Sequence, residues 1–209
     1  MIKRGKIMIR IQKMSLVFLS VVIVVSVGLI FASPKFVNAG LKQKSDVIEI
    51  TTNKGDSAPG FTLENMNGEK VSLKDFRGNI LVLGIAFFPV GEEAIRNIEK
   101  YRKGVISDFK IKGINFLKVM EIKKPVFMKK EFILSKMKKQ LEGIPEAPKN
   151  TLIDWGGALN LYKKYGIKDK KLPSLFVIGK DGKIVYAFQD WYNEDNLNRL
   201  EKEAHNILK

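Results

Sequence analysis

The side chains that carry most protein chemistry are few in this sequence and poorly grouped. Among 209 residues there is no cysteine and one histidine, His205. Without cysteine there can be no disulfide, no thiolate metal site and no thiol nucleophile. A lone histidine on a C-terminal amphipathic segment forms neither a triad nor a histidine-rich metal site. Glu92 and Glu93 are adjacent, and a carboxylate pair is a candidate for acid–base or metal chemistry. Neighbouring helical residues point about 100° apart, however, so the pair better suits a helix start, where carboxylates meet the positive end of the dipole. Asp154, Asp169, Asp181 and Asp190 are scattered near turns and element ends, and Asp181 has a local use in a tight turn. Trp155, Trp191 and Tyr192 read first as core packing or an amphipathic rim, and second as a ligand wall. No Walker loop, dinucleotide fingerprint or serine-nucleophile motif is present. These residues assign no catalytic group, no metal site and no cofactor.

The elements around them are better defined. In "ILVLGIAFFPVGEEAIRNIEKY" the apolar run Ile80–Phe88 reads as a central strand, which Pro89 and Gly91 stop. An amphipathic helix follows, with Ala94, Ile95, Ile98, Tyr101 and Val105 on one face. Upstream, strands at Phe61–Glu64 and Lys70–Leu73 flank an Asn67-Gly68 turn, and "KDFRGN" reads as a loop. Downstream come a strand at Ile114–Val119 and a lysine-rich helix whose apolar stripe is Val126, Ile133, Met137 and Leu141, ending near Gly143, Pro145 and Pro148. A short strand, Thr151–Ile153, precedes a helix through Tyr165 that Gly166 terminates. A hairpin about Asp181-Gly182 and a last helix, capped by Asn193 with Leu197, Leu200, Ala204 and Ile207 on one face, complete the chain. This order predicts an α/β fold with a mixed sheet and helices on both sides.

The N-terminus reads as a targeting segment. Lys3, Arg4, Lys6, Arg10 and Lys13 precede an uncharged run, Met14–Ser33, and Val37 and Ala39 carry the spacing of a signal-peptidase site. Residues 1–39 are therefore a cleaved signal peptide or an uncleaved membrane anchor, and both alternatives place the remainder outside the cytoplasm. Residues 40–55 suit a linker, leaving 56–209 as the domain. The formal charge of +15 falls to +9 once the six basic residues of 1–39 are set aside. A solvated lysine-rich surface accounts for that balance. The rival reading is contact between anionic lipid or an acidic partner and the helix bearing Lys129, Lys130, Lys136, Lys138 and Lys139. No nucleic-acid motif is present, and no nucleic-acid partner is expected.

Two segments, "GDSAPGFTLENMNGEKVSLKDFRGNILVL" and "YGIKDKKLPSLFVIGKDGKIV", with "LIDW" between them, resemble the redoxin branch of the thioredoxin-like superfamily. That branch includes peroxiredoxins of the alkyl hydroperoxide reductase (AhpC/TSA) type and membrane-anchored extracytoplasmic thiol–disulfide oxidoreductases. The resemblance covers Gly55–Leu208 and implies a thioredoxin-like fold: a mixed central sheet flanked by helices, entered through an N-terminal β-hairpin. It implies a cis peptide before Pro173, in a groove formed by Leu172, Pro173 and Ser174 that receives extended polypeptide. It also places the turn Phe88, Pro89, Val90, Gly91 and Glu92 where relatives carry their reactive thiols, beside a helix N-terminus that favours thiolate. With no cysteine available, that chemistry does not carry over. The expectation is a non-catalytic binding or scaffolding module with an exported polypeptide partner in the groove. The alternatives are an accessory of a thiol–disulfide or peroxide-detoxifying pathway acting through a cysteine-bearing partner, and a purely structural envelope component.

Overall fold

Nine consecutive apolar or small residues, Ile80–Phe88, form the central strand of a single sheet. Leu81, Leu83, Ile85 and Phe87 enter one hydrophobic cluster, and Ile80, Val82 and Ala86 enter another on the opposite face. A strand covered on both sides must be apolar at odd and even positions alike, which this run is. The computed structural model describes residues 48–50, 54–88, 90–108, 114–123, 129–141, 144 and 146–208. The expected targeting segment, most of the linker, Pro89, Val126, Gly143 and Pro145 lie outside them.

Numbered in chain order, the strands are β1 (Ile48–Glu49), β2 (Thr62–Asn65), β3 (Lys70–Ser72), β4 (Ile80–Phe88), β5 (Ile114–Ile122), β6 (Thr151–Trp155), β7 (Ser174–Ile178) and β8 (Ile184–Gln189). The helices are α1 (Glu92–Asp108), α2 (Lys130–Gln140), the single turns α3 (Ala147–Asn150) and α4 (Leu161–Lys164), and α5 (Glu194–Asn206). The sheet order is β1-β8-β7-β4-β5-β6-β2-β3, with β4, β5 and β6 parallel and the other pairs antiparallel. This is the mixed α/β sheet the sequence implies. One face is covered by α1 and α5, through Ala94, Ile98, Tyr101 and Val105 and through Leu197, Leu200 and Ala204. The other is covered by Phe61, Leu73, Leu161, Tyr165 and Ile167. α2 joins a third cluster through Ile133, against Met120, Ile122 and Ile153. No helix among the described residues is long and apolar enough to cross a membrane.

Several boundaries differ from expectation for local reasons. The β2–β3 connection is longer than a two-residue turn, because Asn65 Oδ1 accepts the Asn67 and Glu69 amides, each at 2.9 Å, and closes an Asx turn. Leu73 does not extend β3. It opens a 3₁₀ turn, Leu73–Phe76, that Ser72 and Asp75 cap reciprocally, so "KDFRGN" is partly helical. β5 runs to Ile122 because β4 and β6 pair with it on both sides. The helix expected after "LIDW" shrinks to α4, since Gly156, Gly157 and Asn160 all hold positive φ. Asn193 caps α5 as expected, its Oδ1 accepting the Asn196 amide at 2.7 Å.

Candidate functional site

The strand-to-helix turn and the loop before β7 come together at one end of the sheet. Ile85 of β4 pairs with Ser174 of β7, so the residues preceding Ser174 lie beside the last residues of β4. Pro89 lies outside the described residues, Phe88 is half-buried and Val90 is 56% exposed. Gly91 is buried, and its carbonyl accepts the Ile95 amide at 3.1 Å in the first turn of α1. A Cβ on residue 91 would lie 2.7 Å from the carbonyl oxygen of Lys170, so only glycine admits so close an approach of loop to turn. Glu92 is exposed and pairs with Arg96 at 3.2 Å, one helical turn on, and Glu93 is exposed too. Both carboxylates therefore occupy the helix start that complements the dipole.

The second half of the corner is fixed by Gln189. This fully buried side chain donates from Nε2 to Ser174 Oγ at 2.9 Å and to the Asp169 carbonyl at 2.8 Å. Its Oε1 accepts the Lys168 amide at 2.7 Å. One amide thus satisfies the backbone of the loop that leads into Leu172 and Pro173, of which Pro173 is buried and Leu172 half-buried.

Two rows of side chains end the parallel part of the sheet here. Phe88, Ile122 and Trp155 are register partners on one face, and Phe87, Glu121 and Asp154 on the other. Trp155 packs with the α2 cluster and has Lys130 Nζ 5.2 Å from its ring centroid. Trp191 and Tyr192 instead pack against the α1–α5 cluster, so the three aromatics do not form one wall. Lys170 Nζ lies over the Phe87 and Tyr162 rings and pairs with Glu121 at 3.6 Å. Asp154 accepts the Leu159 amide at 3.3 Å, and burial raises its pKa above the usual carboxylate value.

The remaining candidates stay apart. His205 is exposed on α5, and no group of three metal-binding side chains occurs among the described residues. Asp169 accepts the Lys171 amide, Asp181 the Lys183 amide, and Asp190 the Asn196 side chain. These are local structural bonds. The sequence reading missed one buried ionic group: Lys118, pointing from β5 toward α1, pairs with Glu99, which also binds Arg102 at 2.7 Å. Burial lowers the Lys118 pKa. Burial also acts to raise that of Glu99, but Lys118 and Arg102 outweigh it and hold the carboxyl below its usual value. The signal was present as one lysine inside the apolar run "INFLKVMEI" and as the Glu99/Arg102 spacing on α1.

This architecture has known counterparts. The model of the AhpC/TSA family matches residues 54–187. The chain belongs to the AhpC/TSA family. Among curated proteins, this AhpC/TSA chain is similar to the thiol-disulfide oxidoreductase ResA of Bacillus cereus, with 27% identity over 165 residues, 78% of this chain and 83% of the relative. The ResA of Bacillus thuringiensis gives the same identity and coverage. Among solved structures, it is similar to the thioredoxin domain of a thiol-disulfide oxidoreductase from Bacteroides vulgatus, with a TM-score of 0.52, 23% identity, and coverage of 72% of this chain and 96% of that one. A thiol:disulfide interchange protein from a Bacteroides species gives a TM-score of 0.52, 22% identity, and 73% and 91% coverage. These likenesses show the thioredoxin-like fold of this AhpC/TSA member, which has no cysteine.

Proposed function

We propose that this chain is an extracytoplasmic, thiol-free AhpC/TSA member that holds a polypeptide at the corner between Phe88–Glu92 and Leu172–Ser174. The observation that carries the reading is a corner kept in order around a missing nucleophile. Gly91 fits against the Lys170 carbonyl, Gln189 clamps the loop before Pro173, and Val90 is left exposed at the rim. An apolar rim beside a buried proline suits an extended segment held through side chains, with no bond made or broken. The segment 1–39 supports export, as cleaved signal or retained anchor. The likeness to ResA supports a narrower second reading, in which the polypeptide held is itself a cysteine-bearing member of a thiol–disulfide pathway.

The test is recovery of polypeptides bound to the full chain from cells that express it. Val90→Asp and Leu172→Asp are expected to remove the specific partner, while Phe132→Asp, at the exposed apolar residue of α2, leaves it bound. Purified protein is expected to reduce neither insulin nor peroxide. Loss of the partner with Phe132→Asp alone, or intrinsic thiol-dependent activity, would overturn the reading.

A further inference from the structure

At the carboxyl end of β4 two aromatic rings and a carboxylate gather around one ammonium group. Lys170 Nζ lies 4.8 Å from the Phe87 ring centroid, 4.5 Å from that of Tyr162 and 3.6 Å from Glu121 Oε1. The two rings stand edge to face at 6.1 Å, and the Tyr162 hydroxyl donates to the Lys168 carbonyl at 3.3 Å, fixing its ring. The Glu121 side chain is 9% exposed, and its buried Oε2 has no hydrogen-bond partner among the described residues. Gly157 makes room for the carboxylate, since a Cβ there would lie 2.7 Å from Glu121 Oε1. Asp154, the register partner of Glu121, adds negative charge to the same row.

A buried carboxylate with one oxygen unpaired is under-satisfied, and an ammonium at this distance is a point charge that leaves it so. A guanidinium offers two parallel N–H groups to both carboxylate oxygens and stacks on aromatic rings. Resting on the polypeptide-holding reading, we propose that Phe87, Tyr162 and Glu121 form a subsite for one arginine side chain of the bound segment. Lys170 is its resident occupant, displaced on binding. The Lys170 side chain is 36% exposed and has solvent to move into. Exposed Lys168 and Lys171 stand in the same loop and disfavour a multiply basic ligand, which limits the subsite to a single arginine in a neutral or acidic context.

The experiment uses the full chain in detergent micelles, with acetyl-arginine methylamide as probe and its citrulline counterpart as the uncharged control. Binding is read from the ring NMR signals of Tyr162. Lys170→Ala is expected to bind the arginine probe about tenfold tighter than wild type, the scale of one desolvated cation–π contact with a paired charge. Citrulline should not bind, and adding Glu121→Gln should abolish binding with amide dispersion unchanged. Tyr162→Leu, which keeps the carboxylate and is read from the Phe87 ring signals, should weaken it. Equal response to citrulline, or no response in Lys170→Ala, would overturn the subsite. Cross-links from Val90 to a polypeptide without arginine binding would overturn the subsite alone. Arginine binding without such cross-links would support the subsite and remove the polypeptide-holding reading.

Discussion

The carbonyl oxygen of Lys170 lies 2.7 Å from the point where residue 91 would carry a Cβ, and that of Phe87 lies 3.0 Å from it. Both neighbours are backbone atoms of packed segments, so neither can swing aside as a flexible side chain would. Gly91→Ala should therefore cost about 1–3 kcal/mol, the usual range for overpacking. It should also speed hydrogen exchange in the 168–172 loop. Urea denaturation and exchange mass spectrometry check both; an unchanged midpoint would mean that loop and turn are not in contact.

Gln189 holds that loop from below, through Ser174 Oγ, the Asp169 carbonyl and the Lys168 amide. Gln189→Leu keeps the bulk but takes this partner from Ser174 Oγ and the Lys168 amide, and should cost about 1–3 kcal/mol by the usual penalty for unsatisfied polar groups. The exchange of the Lys168 amide should rise more than that of β7. Loss of stability without local loosening would show that Gln189 fills space without positioning the loop.

The buried ionic group gives a pH-dependent prediction. The folded Glu99 carboxyl titrates below the ordinary value of 4.5, so its contribution is fully present above that value and is lost as pH falls through the folded pKa. Wild-type stability should fall on acidification below about 4.5, and Glu99→Gln should lack that part of the fall. At neutral pH the same variant leaves Lys118, whose side chain is 2% exposed, without its carboxylate, at a cost of about 3–5 kcal/mol. Denaturation midpoints of both proteins across this pH range provide the check, and parallel curves would contradict it.

Much of the fold was legible because periodicity reports burial directly. The run Ile80–Phe88 had to be a doubly covered strand, and Asp181-Gly182 and Asn193 act as local chemistry predicts. The expected helix after "LIDW" failed because Gly156 and Gly157 adopt left-handed angles that a helical reading of the apolar spacing ignores. The corner itself was placed by resemblance, and the structure brings Gly91 and the Pro173 loop to the same end of the sheet. Its aromatic and acidic lining was not legible. Phe87, Glu121 and Asp154 lie on three separate strands, and only the register puts them in a row. Lys118 was hidden for a related reason: its partner Glu99 stands 19 residues away on a different element.

A photo-activated cross-linker at Val90, compared with one at Phe132, in the full chain expressed in cells, decides whether the thiol-free corner holds a polypeptide. These are the two exposed large hydrophobic residues among those described, one in the turn and one on the lysine-rich helix. Val90 is expected to capture one specific polypeptide, and Phe132 is not. Capture from Phe132 alone, or from neither position above background, would contradict it.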